Sequence, residues 1–177
     1  MKKILIVVDM QNDFIDGALG TKEAVAILPN VRSKIEEYRK SGNEVIFTRD
    51  THNENYLDTQ EGNKLPVIHC IKDTDGWAIS PQIDTKDSVI IDKPTFGSVS
   101  LMSHIKDNDR DAEFELIGLC TDICVISNAI MLKAFLPEAK VSVDASCCAG
   151  VTPESHKNAL EAMKMCQIHI TNDTIQS

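Results

Sequence analysis

The sequence predicts an α/β protein, a three-layer αβα sandwich around a six-stranded parallel sheet, on three observations. Short apolar runs alternate with amphipathic stretches along the whole chain. The runs are continuously apolar, as strands covered on both faces should be. No internal repeat or Pro/Gly/Ser linker breaks the alternation, so residues 1–177 read as one domain, a length that supports one full core.

Each element has its own signal. "KKILIVVD" reads as the first strand, because its apolar part, Ile4 to Val8, is too short for a signal peptide and runs straight into acidic and polar residues. "NVRSKIEEYRKSG" is an amphipathic helix closed by Gly42, and "NEVIFTRD" is the second strand. Residues 51–87 follow as an irregular loop, of a length that is usually functional. "DSVIIDK" is a third, buried strand, "GSVSLMSHIKDN" a helix, "EFELIGL" a fourth strand and "TDICVISNAIMLKAF" a helix. "AKVSVDAS" is the fifth strand. In "TPESHKNALEAMKMC", Thr152 is placed to cap a helix with Pro153 at its first position, and "QIHIT" is the sixth strand.

The 27 acidic and 18 basic side chains give a formal charge of -9, which disfavours nucleic acid and anionic membrane as partners. No apolar run approaches the roughly 20 residues that span a bilayer. The expectation is a cytoplasmic protein handling a small molecule, with Cys70, Cys120, Cys124, Cys147, Cys148 and Cys166 as free thiols.

In parallel sheets ligands bind at the carboxyl ends of the strands. Strand 1 ends in Asp9, where a carboxylate is costly unless paired or used, although capping the next turn would also explain it. Strand 3 ends at Lys93, just before Pro94, where an ammonium could stabilise a thiolate and an oxyanion; alone it would read as a snorkelling surface lysine. Strand 4 runs into "GLCTDIC", which places Cys124 in the first turn of a helix. Free N–H groups and the helix dipole there favour a thiolate, so iodoacetamide should modify Cys124 faster than the other five cysteines. The bland alternative is a small buried apolar residue. The spacing from Cys120 to Cys124 is C-x-x-x-C, not that of a redox pair. The loop after strand 2 gathers Asp50, His52, Glu61 and His69, a donor set suited to a divalent metal, zinc first, with manganese or iron as alternatives.

Together, "IVVDMQNDF", "IDKPTFGS" and "IGLCTDICV" resemble the three signature segments of the isochorismatase-like cysteine hydrolases, in the family's order, and the resemblance spans essentially the whole chain. It implies a catalytic triad of Asp9, Lys93 and Cys124, a cis peptide just before Cys120, and an oxyanion hole from the backbone N–H groups of Cys120 and Cys124. "FTRDTH…E…HC" is similar to the metal loop of the nicotinamidase/pyrazinamidase branch. That similarity implies Asp50, His52 and His69 as ligands with Glu61 as a fourth, and a metal that binds the pyridine nitrogen of the substrate. Phe14 would stack on the ring. An aromatic residue that this branch carries shortly before the third ligand is Pro66 here, which leaves Trp77 or Phe96 to substitute.

The implied activity is conversion of nicotinamide to nicotinate and ammonia through a cysteine thioester, in a homo-oligomer, dimer or tetramer. A metal-independent hydrolase of a carbamoyl or ureido compound is the second reading. The third, a non-catalytic ligand-binding domain, gives no chemical reason for Asp9, Lys93 and Cys124 to stand together.

Overall fold

Ile4, Leu5, Ile6, Val7 and Val8 are all fully buried, because β1 (Lys3–Val8) lies inside a sheet covered on both faces. Side chains alternate along a strand, so Ile4, Ile6 and Val8 enter one core, and Leu5 and Val7 the other. The structure, a computed structural model, describes residues 2–173. Its elements follow in the order β1, α1 (Asn12–Ile15), α2 (Lys22–Ala26), α3 (Leu28–Lys40), β2 (Glu44–Asp50), α4 (Gln60–Lys64), β3 (Val89–Lys93), α5 (Val99–Asn108), β4 (Glu113–Leu119), α6 (Ile126–Phe135), β5 (Val141–Ala149), α7 (Pro153–Met165) and β6 (His169–Thr171).

The six strands pair in parallel in the order β3-β2-β1-β4-β5-β6. The chain winds outward from β1 to β3 and then returns to β4 on the other side of β1. The carboxyl ends of β1 and β4 therefore flank the point where the winding reverses, the usual binding crevice of open α/β sheets. Leu101, Ile105, Val125, Leu132, Leu160 and Met163 from α5 to α7 pack with Ile4 and Ile6. Phe14, Leu28, Val31 and Ile35 from α1 and α3 pack with Leu5 and Val7. Three layers result, as the alternation predicts.

Local signals hold where they were specific. Gly42 takes the left-handed conformation, φ 71°, just past α3. Thr152 caps α7 by accepting from Ser155 N, while Ser155 Oγ accepts from Thr152 N, a capping box. The structure adds two helices to those expected and corrects two expectations. α1 and α2 have four and five residues, too few to show a helical period. The loop between β2 and β3 is less irregular than its composition suggests: it contains a 3₁₀ turn, Tyr56–Asp58, and α4, capped by Thr59. And β3 is an edge strand, with Val89 39% and Ile90 37% exposed, so Lys93 does not end a buried strand. None of the helices is long and apolar enough to cross a membrane among the described residues.

Gly118 is where the fold comes closest to its steric limit. It pairs with Val8 across β1 and β4, has φ 117°, and a Cβ there would lie 2.1 Å from Val8 O. Gly118→Ala is expected to lower unfolding free energy by about 3 kcal/mol or more, from positive φ and backbone overlap combined, read as a shifted urea midpoint.

Candidate active site

Three strand ends meet in the crevice. Asp9 follows β1 directly with φ 48°, and its carboxylate is fully buried. Lys93, the last residue of β3, reaches over β2 to place Nζ 2.6 Å from Asp9 Oδ2 and 3.5 Å from Cys124 Sγ. Lys93 Nζ also donates to Thr95 O at 3.0 Å. Thr48 Oγ1 donates to Asp9 Oδ1 at 2.7 Å, so the carboxylate is held at both oxygens. The sequence thus places Asp9, Lys93 and Cys124 on three elements, and the fold brings them into contact.

The turn that carries Cys124 differs from the expected α-helical start. Thr121–Val125 forms a π turn, in which Val125 N–H donates to Cys120 O five residues back, at 3.0 Å. The peptide bond between Leu119 and Cys120 is cis. The turn is fixed from several sides. Asn128 Nδ2 donates to Cys124 O at 2.8 Å, Thr121 Oγ1 lies 2.6 Å from His156 Nδ1, and Asp122 accepts from Val151 N. Asn128, four residues past Cys124 and fully buried, was not singled out in the sequence; a buried amide on an apolar helix was the available signal.

Electrostatics correct the expectation of a resting thiolate. Burial pushes the Cys124 thiol well up, the Asp9 charge adds to this, and Lys93 only partly opposes them. Cys120 is pushed up to about 12, by burial first and then by Asp122 and Asp9. Cys124 is 5% exposed whereas Cys166 is exposed, so preferential alkylation of Cys124 is no longer expected. Burial raises the Asp9 carboxyl, against the lowering effect of Lys93. Burial alone would lower the Lys93 ammonium, but the facing Asp9 charge, with Asp50 behind it, raises it overall. The resting thiol is therefore neutral, and Lys93 stands beside it as the ammonium.

Asp50 links this trio to a second cluster. Its Oδ1 lies 3.5 Å from Lys93 Nζ, while its Oδ2 lies 2.9 Å from His52 Nε2 and 3.6 Å from His69 Nε2. Glu61 Oε1 completes the group, 3.7 Å from His52 and 3.8 Å from His69. One ligand atom from each of the four lies within 4.8 Å of the other three. Ligands about 2.1 Å from a metal sit about 3.0–3.4 Å apart when adjacent, so these residues fit a divalent ion. His69 Nδ1 is 2.7 Å from Val67 O and must donate to that carbonyl, which leaves the Nε2 lone pair aimed at the cluster.

The surrounding residues are unequally placed. Phe14 is 9% exposed, its ring 5.5 Å from that of His69. Trp77 is engaged elsewhere: Arg49 stacks 3.6 Å over its ring and its Nε1 donates to Thr51 Oγ1 at 2.8 Å. Phe96 is 43% exposed in the loop after β3, and Pro66 is exposed. Tyr56, unnoticed in the sequence, is buried with its ring 4.8 Å from His52 and 4.9 Å from His69. Gln11 was also missed. Its side chain accepts from Asp50 N and donates to Asp50 O and to Trp77 O, all at 2.8 Å, tying the end of β1 to the metal loop. A concavity of about 750 Å³ opens at the opposite, amino end of the sheet, lined by residues such as Lys34, Glu115 and Lys140 and by no cysteine. The convergence of nucleophile, base and ligand cluster outweighs its size as a marker of the reactive site.

Comparison with known proteins identifies the family. A family profile described as an isochorismatase domain matches residues 3–174. The nicotinamidase/pyrazinamidase of Mycobacterium tuberculosis is 25% identical, over 95% of this chain and 97% of its own length. The structure of the pyrazinamidase of Pyrococcus horikoshii in complex with zinc superposes with a TM-score of 0.84 at 29% identity, covering 97% of this chain and 99% of that one. N-carbamoylsarcosine amidase of Thermoplasma acidophilum superposes with a TM-score of 0.81 at 26% identity, covering 100% of both chains. With the profile spanning nearly every described residue and the same fold recurring in these hydrolases, the chain belongs to the isochorismatase family.

Proposed function

We propose that this chain is a cysteine amidohydrolase of a small carboxamide, with nicotinamide, which would yield nicotinate and ammonia, as the leading substrate. The observation that supports this best is the sharing of Asp50 between the Lys93 side of the Asp9–Lys93–Cys124 group and the His52/His69/Glu61 cluster.

Asp9 takes the Cys124 proton as Sγ attacks the carbonyl carbon, and Lys93 offsets the negative charge that then lies on sulfur. The N–H groups of Cys120 and Cys124 receive the developing oxyanion. Collapse of the tetrahedral species breaks the C–N bond, and Asp9 returns the proton to the departing ammonia. A water deprotonated by Asp9 then cleaves the thioester, and the proton ends on Cys124. A divalent metal held by Asp50, His52, His69 and Glu61 would supply a Lewis-acid contact for a heteroatom of the substrate ring.

Ammonia release from nicotinamide should be lost on chelation and return with added Zn²⁺, Mn²⁺ or Fe²⁺, the best ion also addressing metal identity. Release that is indifferent to chelation would overturn the metal part of this reading. Two observations favour a second substrate class, a carbamoyl or ureido amide: the exposed Pro66, which provides no aromatic platform, and the likeness to N-carbamoylsarcosine amidase. Turnover of such a compound without nicotinamide turnover would select it.

A further inference from the structure

β2 carries a ligand cluster at each end. Asp50, its last residue, belongs to the site above, while Glu44, its first, lies about 20 Å away at the amino end of the sheet. There Glu44 meets His104 of α5 and Asp109, which follows that helix, with one potential ligand atom from each within 4.8 Å of the other two. Asp109 stands out. Its side chain is 1% exposed, and its Oδ2 has no hydrogen-bond partner among the described residues. The Lys2 ammonium occupies part of the space, 2.6 Å from Glu44 Oε2 and in contact with Asp109 Oδ1.

The geometry points to a second divalent-cation site formed by Glu44, His104 and Asp109, for which Lys2 is the competing counter-charge. With a neutral imidazole, the two carboxylates and one ammonium sum to a net negative charge, and a buried carboxylate oxygen stays without a hydrogen bond. A dication would neutralise both carboxylates and also accept the imidazole lone pair. Two oxygens and one nitrogen form a borderline-hard set suited to Zn²⁺ or Mn²⁺, with water completing the shell. Bond lengths of about 2.1 Å require adjacent ligands about 3.0–3.4 Å apart, so the cluster must tighten as the ion enters. The Lys2 side chain can swing away into solvent, because it is 48% exposed. Lys2 and Asp109, though neither Glu44 nor His104, line an open concavity of about 500 Å³ beside the cluster. Such an ion would fasten the start of β2 to the end of α5, far from the crevice.

The test is a count of Zn²⁺ on untagged protein, stripped of metal and dialysed against the ion, by mass spectrometry of the element. Wild type should hold one more ion per chain than His104→Ala, with the two showing the same circular dichroism. That difference is the readout whatever the Asp50 cluster binds, so failure here is distinct from failure of the proposed activity. Lys2→Met should tighten the His104-dependent ion by about tenfold, because its competitor is gone. Equal counts in wild type and His104→Ala, or no tightening in Lys2→Met, would overturn the site.

Discussion

Cys124→Ser is expected to fold normally and to release ammonia from the amide substrate at least about 10⁴-fold more slowly than wild type. The substitution removes one property, the nucleophilicity and acidity of the thiol, and little else. Oγ is smaller than Sγ, but it can bond to the same Lys93 and Asp9 groups, so the 5%-exposed position stays satisfied. Because burial and Asp9 hold the resting thiol neutral, activity should require Asp9 in its charged form. Burial raises the Asp9 pKa above 3.8, so Asp9 gains its proton, and the rate falls, as pH drops through that raised value. The acid limb of kcat/KM should therefore lie above pH 3.8. Cys120→Ala makes the control. It keeps the backbone N–H that would serve the oxyanion and deletes only the second thiol, so turnover should stay near wild type. Wild-type turnover in Cys124→Ser would sink the nucleophile assignment, and loss in Cys120→Ala would give the Cys120 thiol a role the proposed mechanism lacks.

How much of this was legible in the sequence depends on the range of the interactions. The strands announced themselves because each is a short, locally apolar run, and Thr152, Pro153 and Gly42 mark helix ends through contacts within a few residues. β3 misled because its apolar residues read as buried, whereas its place at the sheet edge depends on the winding order, which no local pattern encodes. The candidate site was legible as residue types at strand ends. Its coupling was not: Gln11 binds Asp50 from 39 positions away, and Asn128 reaches both Cys124 O and Phe96 O. Tyr56 was hidden because a tyrosine in a polar loop gives no sign that its ring will pack on two histidines. The thiol expectation failed for a related reason. A helix N-terminus lowers a thiol pKa only where solvent or cations dominate, and here burial and the Asp9 charge outweigh them.

Lys93→Met is expected to lower unfolding free energy by about 3–5 kcal/mol at neutral pH and to abolish turnover. The wild-type pair is completely buried, and Lys93 Nζ, 2.6 Å from Asp9 Oδ2, is the only cation among the described residues that an ion-pair contact places on Asp9. Without it Asp9 must either hold an unpaired charge in the core or take up a proton. The second course predicts a pH signature. The folded-state pKa of Asp9, already raised by burial in wild type, rises further without Lys93, so the folded variant binds the proton over a wider interval, and its stability falls as pH climbs through that interval. The deficit against wild type should accordingly be smallest in acid and grow toward neutrality. Asp9→Asn should be milder, because Lys93 keeps Asp50 at 3.5 Å and Thr95 O at 3.0 Å. Combining the two substitutions leaves neither charge stranded in the pair, so the double variant should be more stable than Lys93→Met alone while remaining inactive. Urea midpoints of the four proteins, taken at neutral and acid pH, measure that coupling, and ammonia release measures catalysis. A Lys93→Met protein as stable as wild type at neutral pH would mean that Asp9 is not held charged by Lys93, and the acid–base role proposed for it would lose its electrostatic support.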